Sequence, residues 1–370
     1  MVRLLNFMVL VLLVLSLVGC GSTGNVVVSE KVGEIEIGVV LPRTGDLKHF
    51  GDYVMQGLEL AMLHRNNTVA GKNIKLIVED TKCLPKPTAN GLMKLHNVDK
   101  VAAVFGPFCG SSSKTAGAFA QQHDFVVVTP SDNFGRIYDY QFHVSHLVKE
   151  EPIVAANYLY DQGVRKAGIL YYNNDWGEEF KNHFKLEFER IGGEIVGMEG
   201  FVYSDGDYRT IISKLDEAGA EAIYFNTDIT GNMLAQFKEL GYEGRIVSNF
   251  EMEAPAVFDV VEPYAEGLIY TGMYIREGPG YDRVVEDYKE IYGFDHVSSY
   301  TVYSYDAANI LFDALEECAV GDQECLYDEL DGVSGYQGVS GPLYFNEEYY
   351  GVKVDFRMKQ VVNGELVLLE

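Results

Sequence analysis

Two short turns carry the residue types that grip a small charged molecule. Gly106 to Ser113 reads Gly-Pro-Phe-Cys-Gly-Ser-Ser-Ser, and Thr129 to Asn133 reads Thr-Pro-Ser-Asp-Asn. Each follows an apolar run, and each offers hydroxyls and backbone N–H groups at the start of a helix, where an anion is stabilised. Ser and Asn also cap helices with no ligand present, so either turn alone says little. Both at one sheet edge are more suggestive of an anion site than either alone. Pro42 to Phe50 is a third such segment, with a helix expected to open at Gly51 and Asp52.

Covalent, phosphate and metal chemistry find no comparable pattern. Gly19, Gly21 and Gly24 match G-x-G-x-x-G but have no strand before them and no helix after. Neither G-x-x-x-x-G-K-[ST] nor G-x-S-x-G occurs. His143 and His146 stand three residues apart, on opposite faces of a strand, which is poor ligand geometry. Asp205, Gly206 and Asp207 resemble part of a calcium loop without its terminal acidic ligand. No metal and no cofactor is expected, and the chain reads as a binder, not an enzyme.

Turns of this kind need strands and helices to hold them. Candidate strands are Ile35 to Leu41, Lys75 to Val78, Val101 to Phe105, Phe125 to Thr129, Ala167 to Tyr172, Ala222 to Phe225 and Arg245 to Val247. Most are continuously apolar, as strands covered on both faces must be. Between them, Val54, Leu58, Ala61 and Met62 share a helical face, as do Phe180, Phe184, Phe188 and Ile191 ahead of Gly192 and Gly193. Met233, Phe237 and Leu240 do so ahead of Gly241. Such alternation predicts an α/β fold with parallel sheets and right-handed crossovers. The pattern runs twice, with a break near Val148 to Pro152. A Tyr-rich helical stretch follows from Tyr300 to Cys318, and the last 35 residues read as strands and turns. Ligands of doubly wound sheets sit beyond the carboxyl ends of the strands, so function is expected after Leu41, Phe105, Thr129, Tyr172, Phe225 and Val247.

Length and charge narrow the class. The 370 residues exceed one ordinary domain of about 150. Asp and Glu number 55 against 29 Lys and Arg, a net charge of -26 that repels phosphate backbones, so no nucleic-acid partner is expected. At the N-terminus, Arg3 precedes an apolar stretch from Phe7 to Val18, too short to span a bilayer but suited to an export signal. Leu17, Val18, Gly19 and Cys20, then Gly21, Ser22, Thr23 and Gly24, resemble the lipidation signal of prokaryotic lipoproteins. Cys20 is then the lipidated first residue of the mature chain. Of five cysteines, the other four fall into two local groups, Cys83 with Cys109 and Cys318 with Cys325, and outside the cell they read as two disulfides.

The ordered set of segments resembles the extracytoplasmic solute-binding proteins of branched-chain amino acid ABC transporters, the Leu/Ile/Val-binding type. It consists of Ile37-Gly-Val-Val-Leu-Pro-Arg-Thr-Gly45 with His49-Phe-Gly51, Glu79-Asp-Thr-Lys-Cys83, Phe105-Gly-Pro-Phe-Cys109, Val128-Thr-Pro-Ser131, Asn173-Asn-Asp-Trp-Gly-Glu178, Ala265-Glu-Gly267 and Gly341-Pro-Leu-Tyr-Phe-Asn346. The likeness covers roughly residues 33 to 370. It implies two doubly wound parallel-sheet lobes joined by a three-crossover hinge, the type I periplasmic-binding fold. The expected division is 1–19 signal peptide, 20–32 tether, 33–147 plus 274–336 lobe 1, and 148–273 plus 337–370 lobe 2.

The resemblance also implies a site. Where the family has a Ser just after the disulfide Cys, this chain has Gly110, so Ser111 or Ser112 takes over the hold on a ligand carboxylate. Ser131 and Asn133 occupy the second loop. Trp176 is an aromatic wall, and Glu251, or Glu253 two residues on, is the acidic group for the ligand's ammonium. Asp228 and Thr227 lie where the family often has Tyr, and Phe50, Phe108 and Tyr300 line an apolar pocket. The implied protein is a monomer, lipid-anchored on the outer face of the cell membrane. It passes a small amino acid to the membrane subunits of an ABC permease; the alternative is a sensory receptor of the same fold for an amide or other amino-acid-like solute.

Overall fold

The computed structural model describes residues 33–369, apart from 132, 203–204, 227–229, 255–256, 258–261, 275–277 and 295. The export signal, the tether and Cys20 therefore lie outside the described residues, as do Thr227 and Asp228. Residues 34–370 form one unit.

Its first part is β1 (Glu34–Leu41), α1 (Lys48–His64), β2 (Thr68–Val69), β3 (Lys72–Asp80), α2 (Pro85–Lys94), β4 (Val104–Phe105), α3 (Gly110–His123), β5 (Val127–Thr129) and β6 (Gln141–His143). Its second is α4 (Glu150–Asp161), β7 (Lys166–Tyr172), α5 (Asp175–Arg190), β8 (Glu194–Phe201), α6 (Arg209–Glu217), β9 (Ala222–Asn226), α7 (Thr230–Leu240), β10 (Arg245–Ser248) and β11 (Ile269–Met273). Then come α8 (Pro279–Tyr292), α9 (Ser299–Glu317), α10 (Gln323–Asp331), β12 (Ser334–Gln337), β13 (Pro342–Phe345), β14 (Tyr350–Val352), β15 (Phe356–Val362) and β16 (Glu365–Leu368).

The strands make two large sheets and one small one. The first runs β2-β3-β1-β4-β5-β6, the second β16-β15-β11-β10-β9-β7-β8, and β12-β13-β14 form an antiparallel trio. Pairing is parallel from β3 to β6 and from β11 to β8. In each large sheet the first parallel strand of the chain lies between the second and the third. That reversal opens a crevice past the carboxyl ends of β1 and β4, and another past those of β7 and β9. Both crevices lie past strand ends where function was expected, and the gripping turns are at the first.

All seven expected strands are present within a few residues, and four more among the described residues were missed, the two-residue β2 being one of them. β6 is only three residues long and carries Gln141 and His143, both buried, so no apolar run marks it. β8 is an edge strand whose residues are mostly half-exposed, and Gly197 and Gly200 break its pattern. β11 mixes Tyr and Gly into a buried strand. The helix expected to open at Gly51 opens at Lys48, and Gly51 lies against the preceding loop: a Cβ there would stand 2.0 Å from the carbonyl oxygen of Pro42. The break at Val148 to Pro152 is the start of α4, with Glu150 and Glu151 in its first turn. Ile37, Val39, Phe105 and Val128 bury fully, each worth about 1.5–3 kcal/mol relative to exposure.

Candidate functional site

Three aromatic side chains meet at the first crevice. Phe50 comes from α1, Phe108 from the turn after β4, and Tyr300 from the first turn of α9. Phe50 and Phe108 stack at 4.8 Å, and the Tyr300 ring stands edge-on to both, 5.4 Å from the first and 4.7 Å from the second. All three are buried. What sets Tyr300 there is close packing of α9 on α1, where Gly57 leaves room: a Cβ on Gly57 would stand 2.2 Å from the carbonyl oxygen of Thr301.

The second sheet answers with the turn after β10. Phe250–Glu253 is a single 3-10 turn, with Phe250 and Glu251 buried. The hydroxyl of Tyr300 donates to Oε1 of Glu251 at 2.9 Å, and the Phe250 ring lies 5.7 Å from that of Tyr300. Glu253 faces elsewhere. Lys359 on β15 pairs with its Oε1, and the Tyr270 hydroxyl donates to the same atom at 3.3 Å. Burial raises the Glu253 pKa while the Lys359 ammonium works against the rise. Of the two acidic candidates, Glu251 is the one turned toward the aromatic group from the first sheet.

The expected hydroxyls are more committed than the sequence suggested. Ser112 is buried between helices and accepts from the Thr88 hydroxyl at 3.0 Å, so its side chain braces α3 against α2. Ser111 is half-buried and donates to the carbonyl of Cys83 at 3.3 Å, beside the disulfide that joins Cys83 to Cys109. A second disulfide joins Cys318 to Cys325. Ser131 is buried: its hydroxyl accepts from Thr129 at 3.2 Å, and its carbonyl accepts from the Ser145 hydroxyl at 2.6 Å.

Asn133 is engaged within its own part of the fold. Its amide donates to the carbonyls of Ser145 and Tyr350, at 3.1 and 2.7 Å, and its carbonyl accepts the Gly135 N–H at 2.9 Å. Every polar atom of the side chain is thus tied to backbone, and its work is to fasten β14 to the loop. The Ser112 hydroxyl is likewise engaged, by the Thr88 side chain.

Trp176 opens α5 just past β7, capped by Asn174, whose side chain accepts the Gly177 N–H at 2.8 Å. The indole is mostly buried and packs on Phe180 at 5.6 Å, in the core of the second sheet. One residue before it, Asp175 pairs with Lys114 of α3 at 2.9 Å, so the N-terminal turn of α5 faces α3 of the first sheet. His143 and His146 are both buried and bond separately, the first to the Ser131 carbonyl at 3.4 Å and the second to the Tyr303 hydroxyl at 2.9 Å. Among the described residues no three His, Cys, Asp or Glu side chains are grouped to hold a metal. Phe250 is the site residue that sequence reasoning missed, and its only local signal was an aromatic directly before Glu251.

Comparison with known proteins agrees with this fold. A family model described as periplasmic binding protein matches residues 34–365. An amino acid binding protein of Pseudomonas aeruginosa is 24% identical over 79% of this chain and 80% of its own length. A leucine-, isoleucine-, valine-, threonine- and alanine-binding protein of the same organism is 23% identical over 85% and 86%. Among solved structures, a leucine binding protein of Thermotoga maritima superposes with a TM-score of 0.83 at 24% identity, covering 91% of this chain and 98% of that one. A solute-binding protein of an ABC transporter from R. palustris, solved with benzoate, gives 0.82 at 17% identity, covering 91% and 96%.

Proposed function

Because the chain belongs to the periplasmic binding protein family, we propose that it is the extracytoplasmic receptor of an ABC importer for a small apolar amino acid, branched-chain or a close relative. It is a binding protein, not an enzyme. The two large sheets are the cores of its two lobes, and the ligand lies between the crevices. The N-terminal turn of α3, Ser111 included, takes the carboxylate. Glu251 takes the ammonium, and Phe50, Phe108, Phe250 and Tyr300 surround the apolar side chain, with Trp176 of α5 as a further wall. Closing the lobes expels water, which strengthens both charge contacts.

The observation that carries this reading is the buried Glu251 carboxyl set against an aromatic group from the opposite sheet. A ligand without an ammonium, such as benzoate, brings its own negative charge toward that carboxyl with no compensating contact. Mass spectrometry of small molecules co-purifying with the protein, followed by calorimetry with L-leucine, L-isoleucine, L-valine and benzoate, tests it. Micromolar or tighter binding of an amino acid with none of benzoate is expected; the reverse overturns the reading.

Three crossovers would join the lobes. The first two are placed near residues 148 and 273. The third belongs at Lys353–Asp355, later than the expected 337, because β14 still bonds to the first lobe: Val352 N–H donates to the Ser145 carbonyl at 2.9 Å, and the Tyr350 hydroxyl to that of Gln141 at 2.6 Å. Lipid on Cys20 would hold the receptor at the membrane beside its permease. Fractionation of cells expressing the chain and Cys20→Ala checks this: the parent is expected in the membrane and the variant in the soluble fraction.

A further inference from the structure

Glu151 is a carboxyl in an unusual place. It lies in the first turn of α4 and is 1% exposed, where an acidic side chain is seldom found unpaired. Its Oε1 accepts the backbone N–H of Phe250 at 2.7 Å and the hydroxyl of Thr271 on β11. Phe250 is the residue directly before Glu251. From the other side, the His146 ring stands edge-on to the Phe250 ring at 5.1 Å and to Phe356 at 4.8 Å. The segment that leads from the first sheet to the second therefore holds Phe250 by both its backbone and its ring.

That hold matters because the turn has little of its own. It is one 3-10 turn closed by two longer-than-average or ordinary backbone bonds, Met252 N–H to the Asn249 carbonyl at 3.3 Å and Ala254 N–H to the Glu251 carbonyl at 3.0 Å. Short 3-10 pieces take their stability from what packs around them. We propose that Glu151 is a positioning residue of the binding site: by accepting the Phe250 N–H it aims Glu251 at the ligand's ammonium, and proton uptake at this carboxyl is linked to ligand affinity. The proposal rests on the reading that Glu251 takes the ammonium.

The proton linkage follows from what surrounds the group. Burial, with a smaller contribution from the Glu253 charge, pushes the Glu151 carboxyl up to about 8, against the bonds from Thr271 and Phe250. The titratable groups that face it are Tyr224 on β9, Glu253 on the turn and Tyr303 on α9. His146, also in this core, is held neutral by burial, with its pKa lowered to about 3. A neutral carboxyl still accepts both bonds through its carbonyl oxygen. Ionisation strengthens the two accepted bonds, but the larger cost of burying the charge remains and is relieved when the turn opens to water. The ordered turn thus holds the proton more tightly than the released one, and affinity weakens as pH rises through about 8.

Hydrogen exchange of the 246–254 segment and calorimetry with L-leucine, on the full chain between pH 7 and pH 9, test this. Glu151→Gln keeps the acceptor and cannot ionise; Glu151→Ala removes the acceptor. In Glu151→Ala, exchange of the ligand-free segment, corrected for intrinsic rate, is expected to rise about tenfold or more, with leucine affinity falling comparably. Glu151→Gln is expected to match wild type at pH 7 and to lose the wild-type pH slope in both readouts. Unchanged exchange in Glu151→Ala, or a wild-type pH slope in Glu151→Gln, overturns the proposal, and the second arm stands even where Glu151→Ala fails to fold. Failure of wild type to bind leucine, or full affinity in Glu251→Gln, counts against the functional reading; the ligand-free exchange still decides the role of Glu151.

Discussion

The Tyr300 hydroxyl and the Glu251 carboxyl are 2.9 Å apart, and they bring together a helix packed on the first sheet and a turn that follows a strand of the second. The proposed ammonium contact therefore sits in a buried, aromatic setting. Glu251→Gln is expected to weaken amino-acid binding by about 2–5 kcal/mol, the usual cost of breaking a desolvated charge pair. Tyr300→Phe keeps the ring contacts with Phe50 and Phe108 and removes only one donor, so a smaller loss of about 1 kcal/mol is expected. Calorimetry on both variants checks the ranking.

Glu253 gives the matching control. Its partner is Lys359, within the second sheet, and both side chains are largely buried. Glu253→Gln is expected to lower unfolding free energy, because the Lys359 ammonium loses its counter-charge, and to leave ligand affinity within about twofold. Denaturant melts and calorimetry separate the two. Weakened binding with unchanged stability would reverse the assignment of the two acids.

Asp306 on α9 anchors the loop between β12 and β13. It accepts the N–H groups of Val339 and Ser340 at 2.9 and 2.8 Å, and the Ser340 hydroxyl. Burial raises its pKa to about 6 despite these bonds. The folded chain therefore holds the proton more tightly than the unfolded one, so this group's contribution is full below about pH 4 and declines as pH rises to about 6. Glu151 acts in the same direction between its ordinary value and about 8. Thermal melts from pH 4 to 8 are expected to show Asp306→Ala losing the decline between pH 4 and 6. The variant also loses at least about 2 kcal/mol at pH 5, since three donors are left without their acceptor.

The two disulfides differ in the chain they close. Cys83–Cys109 spans 26 residues and Cys318–Cys325 spans 7. In the loop-entropy model these stabilise by about 3.5 and about 2.5 kcal/mol. Removing the first by paired Cys→Ser changes is expected to cost more, and to affect ligand binding as well, because it ties α3 to the end of β3 beside Ser111. Non-reducing peptide mapping and melts of each double variant check this.

Much of this molecule was legible in local pattern. Continuous apolar runs such as Val101 to Phe105 mark strands covered on both faces, and the turns after them are where doubly wound sheets place ligands. Phe50, Phe108 and Tyr300 were found that way together with the resemblance, and the structure brings all three together. Strands without that pattern, such as the edge strand β8, were not legible, since half-exposed positions relax the demand for apolar residues.

What the sequence alone determined is the alternation of elements, the cysteine partners and the set of turns, because each depends on neighbours within a few tens of residues. Only the tertiary structure decided how the polar atoms are spent. Glu251 and Glu253 are two residues apart and chemically alike, and a lysine 106 residues further on separates their roles. Asn133 looked free for a ligand until Tyr350, 217 residues away, met its amide. Glu151 reaches Phe250 across 99 residues. A buried donor or acceptor must find a partner, and which partner it finds depends on distances that exist only after the sheets have packed.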